Sequence, residues 1–293
     1  MQPFDEFHGV VRASEPLAPL TWFRLGGPAD FLARPSSAEE LSGLVQQCTQ
    51  AGLPWHVLAG GSNVLVRDEG VRGLVIHLES PSFSDVTIEG ARIVCGSAVP
   101  LTALISQTAR AGLAGLETLT GIPGTVGGAV RGNSGGRQGA IGQFVRRATV
   151  LEPDGQIRTR AQDDLIFSYR RSNLDDCVIL SVELELEHDD LEAVVRRMRR
   201  IWIVKKENQP YGHQSAGCIF KNPTPEISAG TLIDQAGLSG RRIGEAEISD
   251  RHANYVIADP GASVADVLEL IDLTREEVLR QFGYELELQI QIW

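Results

Sequence analysis

Gly121-Ile122-Pro123-Gly124-Thr125-Val126-Gly127-Gly128-Ala129 is the stretch on which the reading of this chain turns. Glycines this dense let backbone approach a neighbour without obstruction by Cβ. N–H groups in such a loop can form a nest for an anion. The spacing matches neither G-x-G-x-x-G nor G-x-x-x-x-G-K-[ST]. Taken alone, the stretch suits a tight turn packing a helix on a sheet as well as a ligand cradle. A second cluster, Ala59-Gly60-Gly61-Ser62-Asn63, tips the reading towards a ligand. It lies between two short strand candidates, Trp55 to Leu58 and Val64 to Val66, and exposes several N–H groups at one point. Two separate glycine clusters suit a long cofactor with a diphosphate and a ring system.

Outward from these loops the chain alternates helix and strand signals. Ser37-Ala38-Glu39-Glu40 is a capping box, followed by Leu41, Leu44, Val45 and Cys48 at helical period and stopped by Gly52 and Pro54. Val86 to Ile88 with Arg92 to Val94 predicts a hairpin, and Thr149 to Leu151 with Ile157 to Thr159 predicts another. A helix is predicted near Leu101 to Arg110. Val178 to Glu187 alternates with Val178, Leu180, Val182, Leu184 and Leu186 on one face, which predicts a strand with one wet side. A helical pattern follows the polar cluster at Glu187 to Asp190 and runs to about Val204, with irregular chain from Lys205 to Pro225. Helices near Thr231 to Gln235 and Val264 to Phe282 close the chain, the latter begun by Ser263-x-x-Asp266 and ended at Gly283.

A chain of 293 residues exceeds what one core usually serves, so two or three domains are expected. Its formal net charge of −11 argues against nucleic acid as the main partner, since phosphate binding needs clustered Lys and Arg. The basic run Arg196-Arg197-Met198-Arg199-Arg200 is interleaved with Val194, Val195, Ile201 and Trp202, and is read as a solvated helix face beside a buried one. Cys48, Cys95, Cys177 and Cys218 show no C-x-x-C pairing and no His at metal spacing, so neither disulfides nor a metal site are expected. Met1 to Arg12 has no apolar core of a signal peptide, and no apolar run approaches the ~18 residues of a membrane span. A cytoplasmic protein without membrane insertion, monomeric or weakly oligomeric, is expected.

Ser215-Ala216-Gly217-Cys218-Ile219-Phe220-Lys221-Asn222-Pro223 carries the strongest chemical signal. A thiol follows a small Ala-Gly pair, with a cation, an amide and a turn proline behind it. Such a segment presents a weak acid and two hydrogen-bonding groups to a small polar ligand. The other three cysteines read as small buried hydrophobes.

Thr21-Trp22-Phe23-Arg24-Leu25-Gly26-Gly27-Pro28-Ala29-Asp30, the Gly60 to Asn63 turn, the Gly121 to Ala129 loop, Tyr169-Arg170-x-Ser172 and Ser215 to Pro223 resemble, in order, the UDP-N-acetylenolpyruvoylglucosamine reductase family. Leu232 to Leu238, Arg242-Ile243-Gly244 and His252-Ala253-Asn254 continue the resemblance, which covers about Thr21 to the end. It implies an α+β chain with a vanillyl-alcohol-oxidase-like (PCMH-type) FAD-binding fold and a C-terminal α+β substrate domain. The expected division is residues 1–78 and 79–188 as two FAD-binding subdomains and 189–293 as the substrate-binding domain. The implied reaction is FAD-mediated reduction of the enolpyruvyl ether of UDP-GlcNAc to UDP-N-acetylmuramate, with NADPH as hydride source, in peptidoglycan precursor synthesis.

Residue by residue, the resemblance implies Arg24, Gly60, Gly61, Ser62, Asn63, Thr120, Gly121, Ile122, Pro123, Gly124, Gly127 and Gly128 as FAD contacts. It implies Tyr169, Lys206, Lys221 and Asn222 as substrate contacts. Arg170 matches the cation that stabilises the enolate-like state, and Cys218 matches the proton donor, Ser in many members and Cys in others. A thiol with an ordinary pKa of ~8.5 is mostly protonated at neutral pH and can deliver that proton. Lys205 and Lys206 suit a diphosphate contact or a solvated helix end equally.

Two departures stand out. The family's C-terminal Leu-Glu-x-Glu-Val-Arg is Leu286-Glu287-Leu288-Gln289-Ile290-Gln291 here, so Gln289 replaces the Glu that assists protonation at C2. An amide donates a hydrogen bond but exchanges no proton near neutral pH. Glu287 stands roughly 6.6 Å along a strand from that position, too far to substitute without a shift. Arg131 to Gln138 differs from the tighter Asn-Ala-Gly turn with an aromatic that many members carry. The short run from Pro210 to Ser215 resembles members without an extra tyrosine-bearing loop. A flavin- or UDP-sugar-binding homologue that does not turn over, and a sugar or alcohol oxidase on the same fold, are the alternatives.

Overall fold

Ser37 begins the first long helix, Ala38–Ala51: its Oγ accepts the Glu40 N–H at 3.2 Å, and Gly52 ends the helix in the left-handed region. The Glu40 carboxylate reaches back one residue further than a capping box requires, to the N–H and hydroxyl of Ser36. This computed structural model describes residues 4–136 and 138–293. They divide into two units. The first holds the described residues up to Glu15, Asp30–Gly60 and Arg72–Ile203; the second holds Pro16–Ala29, Gly61–Val71 and Val204–Trp293.

The first unit is built on two larger sheets. Strands Val11–Pro16, Pro28–Ala33, Val71–His77 and Trp55–Leu58 lie side by side in that order, the last two parallel. Helix Ala38–Ala51 buries Leu41, Leu44, Val45 and Cys48 in a core with Leu74 and Ile76. The second sheet is antiparallel throughout, in the order Ile157–Ala161, Val145–Leu151, Val178–Glu185, Arg92–Gly96, Val86–Glu89. Both predicted hairpins are in it. Helix Leu101–Arg110 lays Leu101, Leu104 and Ile105 into its core.

Strand Val178–Glu185 departs from the single apolar face expected for it. Thr149 pairs with Ser181 but Val150 pairs with Ile179, so Leu180 is bulged out of register. The bulge swaps faces. Val182, Leu184 and Ile179 enter the core with Leu101 and Leu104, while Val178 and Leu180 enter the core with Leu41 and Leu74. Covered on both sides at its start, the strand has no continuous wet face. Helix Leu191–Asn208 is also longer than expected, so Lys205 and Lys206 are helical rather than irregular. Of its apolar residues only Val194 is buried, and Trp202, expected on the buried face, is exposed.

The second unit is built on the antiparallel sheet Arg242–Ile243, Ala246–Ile248, Val256–Ala258 and the helices Ala229–Gln235 and Val264–Phe282. Val267, Leu270, Ile271 and Val278 meet Ile233, Ile248 and Ala258 in its core, and Phe23 and Leu65 enter the same core. Full burial of a side chain like Phe23 contributes roughly 1.5–3 kcal/mol. The C-terminal strand Gln291–Ile292 pairs in parallel with Val64–Leu65. Among the described residues no helix is long and apolar enough to cross a membrane.

Helix Val264–Phe282 starts with a reciprocal cap: Ser263 Oγ accepts from the Asp266 N–H at 3.1 Å, and the Asp266 carboxylate accepts from the Ser263 N–H at 2.9 Å. The Ser263 N–H holds the Asp266 carboxyl below its ordinary pKa. A depressed carboxyl stabilises the fold above its unfolded value of ~3.9 and loses that contribution as pH falls through the folded value. Asp266→Ala is expected to cost about 1 kcal/mol at pH 7. Paired thermal melts should show the difference from wild type shrinking below about pH 4.

Candidate active site

The glycine loop of the first unit is entered through a buried carboxylate. Glu117 accepts from the Gly115 N–H at 2.5 Å and from Arg197 Nε at 2.9 Å, and Arg197 also reaches Asp189 at 2.7 Å. Arg197 is thus the counter-charge of a buried acid, which the reading of its run as a solvated face did not anticipate. The Glu117 carbonyl then accepts from both the N–H and the hydroxyl of Thr120. Gly121 and Gly124 follow at φ +81° and +99°, where a side chain is strained.

Several N–H groups of this loop are used inside the fold. Ile122 donates to Leu119 O, Val126 to Val99 O, Gly127 to Ser97 O, and Gly128 to Thr125 Oγ1. At those positions the loop is no anion nest; it offers bare backbone. A Cβ at Gly127 would stand 2.7 Å from Ser97 Cβ, so the loop lies flat on that strand end. A Cβ at Gly60 would stand 3.0 Å from Gly124 Cα, so the two glycine clusters meet backbone to backbone. At Gly128 the nearest atom would be Ala59 Cβ at 3.7 Å, an ordinary contact.

Helix Val126–Arg131 carries the loop onward to a hairpin. Strands Phe167–Ser168 and Arg171–Ser172 pair with Ser168 opposite Arg171, leaving Tyr169 and Arg170 as a two-residue turn. Arg170 takes φ +56°, a conformation that a turn of this sense usually gives to Gly or Asn. Holding a non-glycine residue there costs of order 1–3 kcal/mol. The guanidinium lies 5.5 Å from the centroid of the exposed Tyr169 ring. Arg170 Nε is buried and has no hydrogen-bond partner among the described residues. Two bonds fix the hairpin to the end of the helix: Ser172 Oγ donates to Arg131 O at 2.7 Å, and Asn133 Nδ2 donates to Ser168 O at 2.7 Å.

In the second unit, Gly61 lies beneath the turn from Leu20 to Arg24. A Cβ on it would fall 2.0 Å from Leu20 O, and its carbonyl accepts the Trp22 N–H at 2.9 Å. Arg24 is left-handed at φ +58° and donates to Pro19 O at 3.3 Å. Ser62 is half-buried. Asn63 ties this turn to the C-terminus: its Nδ2 donates to Gln289 O at 3.1 Å, and its carbonyl accepts the Gln291 N–H at 2.9 Å.

The Cys218 segment lies between two others. Cys218 bridges to Tyr255 and Phe220 to Leu288. Ile219 N–H donates to Asn254 O, and Gln289 N–H donates to Ile219 O at 2.7 Å. The buried Asn254 side chain accepts the Phe220 N–H and donates to the Phe220 carbonyl. Cys218 is half-exposed and Gly217 before it is at φ +79°. Ser215 Oγ is buried without a partner among the described residues. Thus Cys218 and Gln289 are brought to one place in the second unit.

Lys221 and Asn222 both have bonds within the fold. The Lys221 ammonium pairs with the Glu287 carboxylate, and the Lys221 N–H donates to Glu287 O. Glu287 is therefore occupied with Lys221 rather than standing in for Gln289. Asn222 Oδ1 accepts the Ala229 N–H at 3.1 Å, which satisfies one open donor at the start of helix Ala229–Gln235. Lys206 is exposed in the last turn of helix Leu191–Asn208. From sequence, Asn133 and Asn254 carry no assigned role, and Glu287 is weighed only as a substitute for Gln289. Their partners lie 35, 34 and 66 residues away, beyond any local pattern.

Two family models match the chain: the FAD binding domain over residues 29–160, and the C-terminal domain of UDP-N-acetylenolpyruvoylglucosamine reductase over residues 209–293. The UDP-N-acetylenolpyruvoylglucosamine reductase of Moorella thermoacetica is 43% identical over 284 residues, covering 97% of this chain and 93% of the relative. That of Heliobacterium modesticaldum is 40% identical over 289 residues, covering 98% and 92%. The crystal structure of UDP-N-acetylenolpyruvylglucosamine reductase from Thermus caldophilus superposes with a TM-score of 0.84 at 37% identity, covering 97% of this chain and 99% of that one. The α+β class and the FAD-binding fold expected from the resemblance are borne out.

Burial raises the Cys48 thiol to about 11 and the Cys95 and Cys177 thiols to about 12. The reactive species is the thiolate. Iodoacetamide at pH 8 is therefore expected to alkylate Cys218 and to leave the other three unmodified in the native protein. Peptide mass spectrometry reads the outcome, and labelling of Cys95 at a comparable rate would contradict it.

Proposed function

This chain belongs to the UDP-N-acetylenolpyruvoylglucosamine reductase family, and on that basis we propose which of its residues carry the reaction and how. It is a flavin-dependent oxidoreductase that reduces UDP-N-acetylenolpyruvoylglucosamine in peptidoglycan precursor synthesis. We assign NADPH as the hydride source and the cytoplasm as the site of action, with a monomer or weak oligomer that takes no nucleic-acid partner. A net charge of −11 supports the last point.

The first unit suits FAD. Gly60 and Gly124 meet without side chains, and a Cβ at Gly60 would close the join at 3.0 Å. A flat ring system and a diphosphate need that close approach. Gly60, Thr120, Gly121, Ile122, Pro123, Gly124, Gly127 and Gly128 would hold it, and by the family resemblance we also assign Arg24, Gly61, Ser62 and Asn63 to FAD binding. Bound there, FAD would supply the hydride, taken from NADPH, that C3 of the enolpyruvyl group receives. We assign residues 1–78 and 79–188 to FAD binding and 189–293 to substrate binding.

Arg170 is the cation of the reaction. As C3 gains hydride, negative charge develops on the C2 side and its carboxylate, and a fixed guanidinium lowers the energy of that state. The single observation that carries this reading is the buried Arg170 Nε with no protein partner among the described residues, on a residue held at φ +56°. A strained backbone and an unsatisfied donor together favour a ligand contact over a surface role. Cys218 Sγ–H gives its proton to C2, and water restores the thiol. Gln289, placed by the Asn63 side chain and the Ile219 carbonyl, supplies a hydrogen bond but no proton. Tyr169, Lys206, Lys221 and Asn222 contact substrate, with Lys221 steadied by Glu287.

Stopped-flow mixing of NADPH-reduced protein with UDP-N-acetylenolpyruvoylglucosamine tests the reading. Reoxidation is expected, and its absence in FAD-loaded protein would leave only a binding homologue. A thiol acid must be protonated, so an alkaline limb of falling rate is expected in the wild type. Cys218→Ser should flatten that alkaline limb, because a hydroxyl stays protonated there. Cys218→Ala should lower the rate by roughly 10²–10⁴-fold.

Gln289→Glu tests the other departure. If Cys218 with water suffices, the change should alter reoxidation by less than about threefold at pH 7. A gain of a hundredfold would instead identify the wild-type chain as limited at C2 protonation.

A further inference from the structure

We propose that Asn133 is a positioning residue that holds Arg170 in its working conformation, an inference that rests on the role given to Arg170 above. Asn133 sits just past helix Val126–Arg131. It is 8% exposed and takes φ +41°, so it is both buried and left-handed. Both ends of its amide are used. Nδ2 donates to Ser168 O at 2.7 Å, and Oδ1 accepts the Gly142 N–H at 3.1 Å.

Ser168 immediately precedes the Tyr169–Arg170 turn and pairs with Arg171 across it. A bond to the Ser168 carbonyl fixes the peptide plane that enters the turn. Ser172 Oγ fixes the exit strand by donating to Arg131 O, two residues from Asn133 in the chain. The hairpin is thus held on both sides by one short segment, residues 131–133. A left-handed arginine persists only where its surroundings over-determine it. Here the over-determining group on the entry side is the Asn133 amide. In this hairpin Arg170 Nε is buried without a hydrogen-bond partner among the described residues, which suits a ligand contact.

The test compares Asn133→Gly, Asn133→Asp, Arg170→Ala and the Asn133→Gly/Arg170→Ala double variant in the FAD-loaded full chain. Glycine suits φ +41° and so removes the amide without straining the backbone. Aspartate keeps an acceptor for Gly142 N–H and removes the donor to Ser168. Both single changes are expected to slow reoxidation by UDP-N-acetylenolpyruvoylglucosamine by about tenfold or more at saturating substrate, with flavin reduction by NADPH within about twofold of wild type. The double variant should be no slower than Arg170→Ala alone, the non-additivity expected of residues acting as one unit. In nitrogen-15-labelled protein without substrate, Asn133→Gly should also speed solvent exchange at Arg170 Nε–H.

Wild-type reoxidation in both Asn133 variants, beside a slow Arg170→Ala, would overturn the positioning role alone. So would losses that multiply in the double variant. A fast Arg170→Ala would remove the role of Arg170 and this inference with it.

Discussion

Close backbone approach at two glycines is the constraint on which the first unit's glycine loop and the hairpin of Arg170 depend. Gly127 lies on the strand end at Ser97, where a Cβ would collide at 2.7 Å, and its N–H donates to Ser97 O. Gly124 lies against Gly60. These contacts fix where helix Val126–Arg131 begins. That helix has six residues and so spans only about 9 Å. Its far end, through Arg131 O and Asn133, anchors the hairpin that carries Tyr169 and Arg170. A shift at the glycine loop would therefore be felt at Arg170. Packed elements of this length do not absorb displacement by bending.

Local signals made much of this legible. The helices Ala38–Ala51 and Val264–Phe282 were readable because cap, period and stop lie in one window of sequence. Both hairpins were readable from turn chemistry. Strand Val178–Glu185 was misjudged because its alternation is clean in sequence, while the bulge at Leu180 arises only from pairing with Val145–Leu151. Helix Leu191–Asn208 was cut short because Lys205 and Lys206 look like a solvated end whether or not the helix continues.

The site divides in the same way. Motifs located Arg170, Cys218 and the glycine loops, since each is a run of neighbouring residues. What those residues bond to was hidden. Asn63 meets Gln289 across 226 positions, Lys221 meets Glu287 across 66, and Arg197 meets the buried Glu117 across 80. The nest reading of Gly121 to Ala129 failed at four N–H groups for a related reason. Sequence counts donors, but only the fold shows that Ser97, Val99, Leu119 and Thr125 already accept from them.

The thiol at Cys218 and the departure at Gln289 belong to one chemical argument. A serine hydroxyl is far too weak an acid to give up a proton near neutral pH unaided, so a neighbouring carboxylate that shares proton transfer is valuable to it. A thiol, with an ordinary pKa of ~8.5, is closer to the pH at which it must act. It delivers a proton at less cost and recovers it from water. The carboxylate is then less needed, and Glu287 cannot easily replace it, because Lys221 holds it in an ion pair. At position 289 glutamine keeps the shape and the hydrogen-bonding capacity of the acid it replaces. Its backbone remains pinned between Asn63 and Ile219, so the amide replaces the acid in a segment whose course is fixed from both sides.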